Sequence, residues 1–222
     1  MLATPRERLV SQFRLAHAPE LGARYNIAPS QPIASVRQLS DAGRELVFLH
    51  WGLIPSWAKQ RSTRHRMINA RAETLNERPA FRVPLARRRC LIPADGYYEW
   101  MASNGRKQPY FIRAKDKRLL ALAGLWERWQ HDQEAIESCA IITTESNGPV
   151  RDIHDRMPLI LPERAYDQWL DPSVQDPTLL RPLLEPFDAV ELMAYPVSPR
   201  VNSPRVDDAA CVAPLDEQQR LL

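Results

Sequence analysis

Residues 119–129, LLALAGLWERW, and residues 136–144, IESCAIITT, decide the fold of this chain. Both runs are rich in apolar, β-branched and aromatic residues, and a polar stretch separates them. Such runs between polar turns are typical of buried β-strands. We therefore predict one strand from Leu119 to Trp129 and another from Ile136 to Thr144.

Similar runs on either side predict more strands, and amphipathic stretches predict a few helices. The other predicted strands are Pro32–Gln38 and Glu45–Trp51 around a turn at Ser40–Gly43, then Cys90–Trp100, Tyr110–Arg113, Met157–Leu161 and Val190–Val197. The predicted helices are Thr4–Ala16, opened by a capping box of Thr4 and Glu7, then Glu77–Arg88, Pro162–Leu170 and Thr178–Leu184. Many strands with few helices between them argue against a doubly wound parallel sheet. The expected fold is α+β, a mostly antiparallel curved sheet or open β-barrel with peripheral helices.

The composition indicates one globular domain. Of the 222 residues 44% are hydrophobic, which is enough for one sizeable core, and we expect a single domain over residues 1–222. The 20 prolines are spread along the chain, so they separate short elements and form no linker. No apolar run approaches the roughly 18 residues of a membrane span, and the first residues carry no apolar signal region. We expect a cytoplasmic protein, associated with the nucleoid if it is bacterial.

The positive charge is concentrated in one stretch of the chain. Residues 59–89 contain ten Lys and Arg residues against Glu73 and Glu77, a local charge of +8, whereas the whole chain carries +3. Such asymmetry suggests an anionic partner, and nucleic acid is the obvious candidate. The alternative is a solvated basic face with no partner.

Three cysteines, Cys90, Cys139 and Cys211, share no close spacing. An odd number at wide intervals indicates neither a disulfide framework nor a zinc site. We interpret them as buried reduced thiols, and we expect no metal and no cofactor.

Several polar and aromatic residues are candidates for chemistry, although each alone has a structural explanation. Glu99 can point to solvent from an aromatic strand, and Asn69 can bridge a turn. His154 can be a surface turn residue, yet its carboxylate neighbours also suit a proton donor. Trp51 and Trp57 can be core residues, or they can stack on bases beside arginines that hold phosphates.

Five ordered motifs together give a more specific signal. They are NIAP at 26–29, WGLIPSW at 51–57, NARAET at 69–74, PADGYYEW at 93–100 and IHDRMP at 153–158. In order and wording they closely resemble the SRAP family, the SOS-response-associated peptidase domain, over about residues 22–161. The resemblance implies a DNA repair protein that binds single-stranded DNA and captures abasic sites covalently.

The resemblance also implies roles for three catalytic residues. In that family an amino-terminal Cys, exposed by removal of Met, joins the aldehyde of an opened abasic sugar in a Schiff base and then a thiazolidine ring. Glu99 matches the glutamate that positions and deprotonates the terminal amine. His154 matches the histidine that protonates the departing sugar oxygen and assists reversal. Asn69 matches the asparagine that orients the cysteine and the sugar.

The DNA-contacting positions of the family are carried over in the same way. The matching residues are Pro29, Trp57, Arg71 and Thr143, with Arg78 and Phe81 on the same surface. The resemblance further implies peptidase-like self-processing and β-elimination at abasic sites. The expected partner is single-stranded DNA with abasic sites, bound by a monomer that has no contact with membranes.

The start of the chain departs from the family pattern. Members begin Met-Cys-Gly-Arg-Phe, whereas this chain begins Met1-Leu2-Ala3-Thr4-Pro5. We infer that the intervening residues are absent, and we expect this chain to bind DNA and to crosslink poorly. Two alternatives remain: a non-catalytic module for single-stranded DNA, and a cysteine-type hydrolase that pairs Cys90 or Cys139 with His154.

Overall fold

The computed structural model describes residues 1–39, 43–60, 67–103 and 105–215, which contain ten strands and four α-helices. The strands are β1 Pro32–Gln38, β2 Arg44–Trp51, β3 Asn69–Arg71, β4 Arg89–Ala94, β5 Tyr97–Ser103, β6 Arg106–Ala114, β7 Leu120–His131, β8 Glu134–Glu145, β9 Arg156–Pro158 and β10 Leu192–Pro196. The helices are α1 Arg6–Phe13, α2 Pro79–Arg87, α3 Tyr166–Leu170 and α4 Pro177–Leu180, with short 3-10 segments between elements. The α+β prediction is confirmed.

Two sheets build the molecule. The larger has the order β2-β1-β4-β7-β8-β3, with β9 also paired to β8, and the smaller has the order β10-β6-β5. Pairing is antiparallel except where β2 and β3 run parallel to β8. The larger sheet curves until β2 meets β8 at His50↔Ser138 and Trp51↔Cys139, without closing into a full barrel.

The apolar run of β7 is continuous because both faces of this strand are covered. Ala121, Ala123 and Leu125 belong to the core beneath the helices. Leu122 and Trp126 point the other way, into a second core that includes residues of the smaller sheet. Side chains alternate between the faces of a strand, so a strand buried on both faces loses its polar alternation.

The predicted strand Cys90–Trp100 is wrong in one respect, because it divides into β4 and β5, which belong to different sheets. The break falls at Asp95 and Gly96. A Cβ atom at Gly96 would collide with the ring of Phe111 and the carbonyl oxygen of Ile112. Glycine has no Cβ and so permits this close approach where the chain passes from one sheet to the other, three residues before Glu99.

The predicted capping box of the first helix is also wrong. The helix starts at Arg6 with Pro5 at its N-cap, and no side chain caps it. The hydroxyl of Thr4 instead donates to the carboxylate of Asp95, which lies far away in the sequence. A tertiary partner has therefore displaced the local one.

The remaining predicted elements differ mainly at their ends. The hairpin of β1 and β2 is confirmed, while most of its predicted turn, residues 40–42, lies outside the described residues. The last two predicted helices are split between an α-helix and a 3-10 segment. Strand β3 was not predicted, because three residues are too few to show a period. Among the described residues no helix is long and apolar enough to span a membrane.

Candidate active site and nucleic-acid surface

A cavity of about 400 Å³ lies where β3, β5 and β8 meet the segment 26–29. Its lining includes four of the residues singled out in the sequence, Pro29, Asn69, Glu99 and Thr143. These residues come from four distant parts of the chain, so the fold has assembled them. Aromatic residues complete much of the wall: Trp51, Tyr97, Tyr98 and Trp100.

Strand β3 presents Asn69 and Arg71 on one face. Its parallel register with β8 sets Asn69 opposite Ile141 and Arg71 opposite Thr143. Residues two apart in a strand share a face, so Arg71 points to the same side of β3 as Asn69, which lines the cavity. Both side chains are exposed, and Thr143 beside them is nearly buried.

Glu99 is the carboxyl group of the cavity, and 23% of its side chain remains exposed. Burial raises its pKa to about 7, and nearby His154 partly opposes this shift. The distance from Glu99 Oε2 to His154 Nδ1 is 3.9 Å. A carboxyl group with such a pKa can hold or release a proton near neutral pH, which is what general acid–base chemistry requires.

His154 stands at the mouth of this site, on a turn held by backbone bonds. Its amide donates to Val150 O at 3.0 Å, and its carbonyl accepts from Ser146 Oγ at 2.6 Å. Its Nδ1 lies 3.0 Å from the amide nitrogen of Arg156. Nδ1 also lies 3.1 Å from Arg156 O and 3.3 Å from Asp155 Oδ1, so it accepts from the Arg156 amide when unprotonated and donates to these oxygens when it carries a proton.

Arg156 connects three of the chain segments that form the site. Its guanidinium makes two 2.9 Å bonds to the carboxylate of Glu73 and a 2.7 Å bond to Thr143 O. Glu73 follows β3, Thr143 belongs to β8, and Arg156 begins β9 two residues after His154. A bidentate arginine–carboxylate pair has a fixed geometry, so it holds these three segments in register.

The start of the chain lies at the same cavity. The α-amine of Met1 donates to Gly96 O at 2.8 Å, and Asp95 N donates to Met1 O at 3.1 Å. Burial lowers the pKa of this amine to about 6, although Asp95 opposes the shift. A buried amine with this pKa is largely uncharged at neutral pH, the form that attacks carbonyl groups.

Sequence reasoning missed the residues that fix this placement. The carboxylate of Asp95 accepts from the amides of Ala3 at 2.6 Å and Thr4 at 3.0 Å. Tyr98 donates its hydroxyl to Tyr25 O at 2.7 Å, which holds the segment before Pro29. Asp95 and Tyr98 both belong to the PADGYYEW motif. The motif therefore indicated that these residues matter, but it did not reveal their hydrogen-bond partners.

Three of the predicted DNA contacts, Trp57, Arg71 and Arg78, lie outside the cavity on the surface. Trp57 is 66% exposed, and Arg78, immediately before α2, is exposed as well. Phe81 is different, since it is 9% exposed and packs in the main core beneath the helices. We therefore leave Phe81 out of the contact surface, because its apolar side chain is already used in packing.

The basic stretch 59–89 divides into structural and surface arginines. Arg89 is buried, and its guanidinium donates to the carbonyl oxygens of Trp169, Leu85, Ala86 and Asp171. Arg88 is paired with Glu127. The described residues left at the surface are Lys59, Arg71, Arg78, Arg82 and Arg87, while Arg61, Arg64 and Arg66 lie outside the described ranges.

The cysteines behave as predicted, since all three are free and buried. Burial raises the pKa of Cys90 well above its ordinary value and that of Cys139 to about 12. A nucleophilic cysteine needs an accessible thiolate, and these thiols have neither the exposure nor the ionisation. The arrangement argues against the hydrolase that pairs either of them with His154.

Comparisons with known proteins agree with these observations. Residues 1–204 match the family model described as SOS response associated peptidase (SRAP). The abasic site processing protein YoqW of Bacillus subtilis is 47% identical over 184 residues, which cover 82% of this chain and 81% of that protein. The mouse abasic site processing protein HMCES is 34% identical, over 86% of this chain and 65% of its own length.

A solved structure has the same fold. The crystal structure of a protein from Bacteroides thetaiotaomicron superimposes with a TM-score of 0.84 and 30% identity, covering 96% of this chain and 97% of that one. A second, from Bordetella bronchiseptica, has a TM-score of 0.75, 30% identity, and covers 87% and 95% of the two chains.

Proposed function

This chain belongs to the SRAP family, and from that premise we propose that it binds DNA and processes abasic sites in it. The observation that carries the proposal is the single cavity in which Asn69, Glu99 and the α-amine of Met1 meet, with His154 at 3.9 Å from Glu99. An opened abasic sugar carries an aldehyde, which an uncharged amine can attack, and a carboxyl group in the same cavity can exchange protons near neutral pH.

The proposed covalent chemistry needs a cysteine at the amino terminus. The amine nitrogen adds to the C1 aldehyde and water leaves, which gives an imine. The thiol of the same residue then adds to the imine carbon while its proton passes to nitrogen, which closes a thiazolidine ring. An amine without that thiol stops at the imine, which water reverses.

Each cavity residue has a proposed part in this sequence. Glu99 accepts a proton from the attacking amine, and its raised pKa suits that transfer near neutral pH. His154 donates a proton to the sugar ring oxygen as the ring opens. Asn69 hydrogen-bonds the sugar and holds the aldehyde toward the amine.

The DNA is proposed to bind as a single strand to one copy of the protein. It lies across the exposed surface that carries Trp57, Arg71 and Arg78, which we call the rim. Trp57 stacks on a base, Arg71 and Arg78 contact phosphates, and Pro29 and Thr143 shape the edge of the cavity. A single strand fits because its bases are free to stack and its sugar can enter a narrow cavity. β-Elimination at the site, self-release of an amino-terminal Met and a cytoplasmic location belong to the same proposal.

The decisive experiment compares two polypeptides on single-stranded DNA with one abasic site. One is this chain, and the other begins Met-Cys-Gly-Arg-Phe in place of Met1. We expect the second to give an adduct that survives denaturing electrophoresis and has the mass of protein plus DNA minus water. We expect this chain to bind the DNA and to be trapped only when a hydride reductant is present.

The matched control carries alanine in place of the added cysteine and should lose the stable adduct. If the cysteine-bearing protein gives no adduct although it binds the DNA, covalent capture is wrong. The chain is then a binding module for single-stranded DNA, which is the second candidate because its exposed Trp57 and arginines do not depend on the cavity.

A further inference from the structure

Glu127 is a buried carboxylate near the end of the apolar run of β7, directly before the exposed Arg128. It is 2% exposed and lies on β7. A buried charge is costly unless it is paired and hydrogen-bonded, so its partners indicate why the fold keeps it. Its Oε1 accepts from Arg88 and from the amide of Arg128, and its Oε2 accepts from Ser56 Oγ at 3.2 Å.

Ser56 belongs to the loop at residues 54–58, which carries Trp57. Hydrogen bonds to the sheet hold this loop both before and after that tryptophan. Ser138 Oγ accepts from the amide of Ile54 at 2.9 Å. Trp129 Nε1 donates to Ala58 O at 2.7 Å. Glu127, Trp129 and Ser138 all belong to β7 and β8, so the sheet fixes the loop while the indole of Trp57 stays exposed.

Arg88, the other side-chain partner of Glu127, is the C-cap residue that follows helix α2. Its amide donates to Pro84 O at 2.7 Å, and its carbonyl accepts from the amide of Trp126 at 2.8 Å. The same helix follows Arg78, one of the proposed phosphate contacts. Glu127 therefore touches both surface elements at once, the Trp57 loop through Ser56 and α2 through Arg88.

We propose that Glu127 is a positioning residue that holds the loop of Trp57 in a fixed relation to helix α2, so that one DNA strand meets both. This inference rests on the proposed function, because it takes Trp57 as a stacking side chain for DNA. An indole that is already fixed loses less rotational and loop freedom when a base stacks on it, so binding is tighter.

Two variants test the proposal, one by removing a single hydrogen bond and the other by removing the charge of Glu127. Ser56→Ala removes only the bond between the loop and Glu127, at an exposed position where the fold is little affected. Glu127→Gln keeps the shape and removes the charge that holds Arg88. The matched control is Glu20→Gln, a carboxylate paired at 2.7 Å with Arg6 of helix α1.

The first measurement is hydrogen exchange, in the DNA-free protein, of the Ala58 amide, which is bonded to Pro55 O at 3.0 Å. We expect both variants to exchange this amide about threefold to tenfold faster than the wild type, and Glu20→Gln to exchange it at the wild-type rate. Wild-type exchange in both loop variants would overturn the proposal.

The second measurement is the affinity for intact single-stranded DNA in a double-mutant cycle with Trp57→Ala. We expect each variant to weaken binding about threefold to tenfold alone and not to weaken it further when Trp57 is already absent. An equal loss in the Trp57→Ala background would mean a general structural effect and would overturn the proposal. A Trp57→Ala protein that binds as well as the wild type would overturn its premise, while adduct formation separately tests abasic-site processing.

Discussion

The cavity around Glu99 and the rim that carries Trp57 and Arg71 differ in how far their side chains are exposed to water. The Glu99 side chain is 23% exposed, and its proton affinity is set by what surrounds it. The side chains of the rim are exposed, and water and salt screen them. The comparison teaches that substitutions in the cavity should change rates and pH dependence, whereas substitutions on the rim should change equilibrium affinity and its salt dependence.

The largest effect should come from Glu99→Gln in the protein whose amino-terminal cysteine is restored. Glutamine cannot accept the proton of the attacking amine, so adduct formation should slow about 100-fold. The wild-type rate should rise with pH through about 7, as Glu99 ionises, and the variant should lack this rise. Time courses on abasic DNA between pH 5.5 and 8.5 measure both.

The matched control for this prediction is Glu163→Gln, an exposed carboxylate at another place on the surface. It should react at the wild-type rate. If Glu99→Gln instead lowers DNA affinity and leaves the rate constant unchanged, the division between cavity and rim fails.

The next largest effect should come from His154→Gln in the same cysteine-bearing protein. Without an acid for the sugar ring oxygen, adduct formation should slow by about tenfold to 100-fold, and the adduct should also reverse more slowly. Both rates follow from adding unlabelled competitor to a labelled adduct and running denaturing gels over time. An abasic site reduced to its alcohol, which cannot open to an aldehyde, should be bound equally well by the variant and the wild type.

A third prediction concerns the stability cost of the buried carboxyl group. The pKa of Glu99 is higher in the folded state than in an unfolded chain, so the folded state favours the protonated form. That stabilisation is complete below the unfolded pKa of about 4.3 and is lost as the pH rises through about 7. The free energy of unfolding of Glu99→Gln should therefore exceed that of the wild type by on the order of 2 kcal/mol at pH 8, and the two should be nearly equal at pH 4.

Urea unfolding at the two pH values measures this difference, and Glu163→Gln should show none of it. A variant that is less stable than the wild type at pH 8 would mean that the Glu99 carboxylate is favourably paired in the folded state. The raised pKa would then be incorrect.

The smallest effect should come from the rim. Arg71→Ala should weaken binding of intact single-stranded DNA about threefold at low salt, because one phosphate contact is lost. The slope of log affinity against log salt concentration should become shallower by about 0.7. Fluorescence anisotropy at several salt concentrations measures both, and Lys115→Ala, an exposed cation outside the basic stretch, is the control. An unchanged slope would place the DNA elsewhere on the surface.

Much of the fold could be predicted from the sequence because strands with strong apolar runs need little context. The strands β7 and β8 were found close to their true bounds, and so was the hairpin of β1 and β2. The errors fall where tertiary contacts overrule local signals. Thr4 bonds Asp95 and does not cap its helix, and the run 90–100 breaks at Gly96 because Phe111 packs directly against it.

The candidate site was predicted in part. The motifs pointed to Asn69, Glu99 and His154, and the fold gathers the first two at one cavity with the third beside Glu99. Phe81 was assigned to the surface because a sequence motif does not reveal burial. Glu127 drew no attention because a charged residue in a strand looks like an ordinary solvent-facing position.

The sequence by itself determined the residue types and their order: the apolar runs that must be buried, the five motifs, and the excess of positive charge between residues 59 and 89. Only the tertiary structure decided which of those groups are desolvated. The proton affinities of Glu99 and the Met1 amine, and the division of the arginines between buried pairs and open surface, arise from burial. Burial depends on neighbours brought together from distant parts of the chain, and a linear sequence does not specify those neighbours locally.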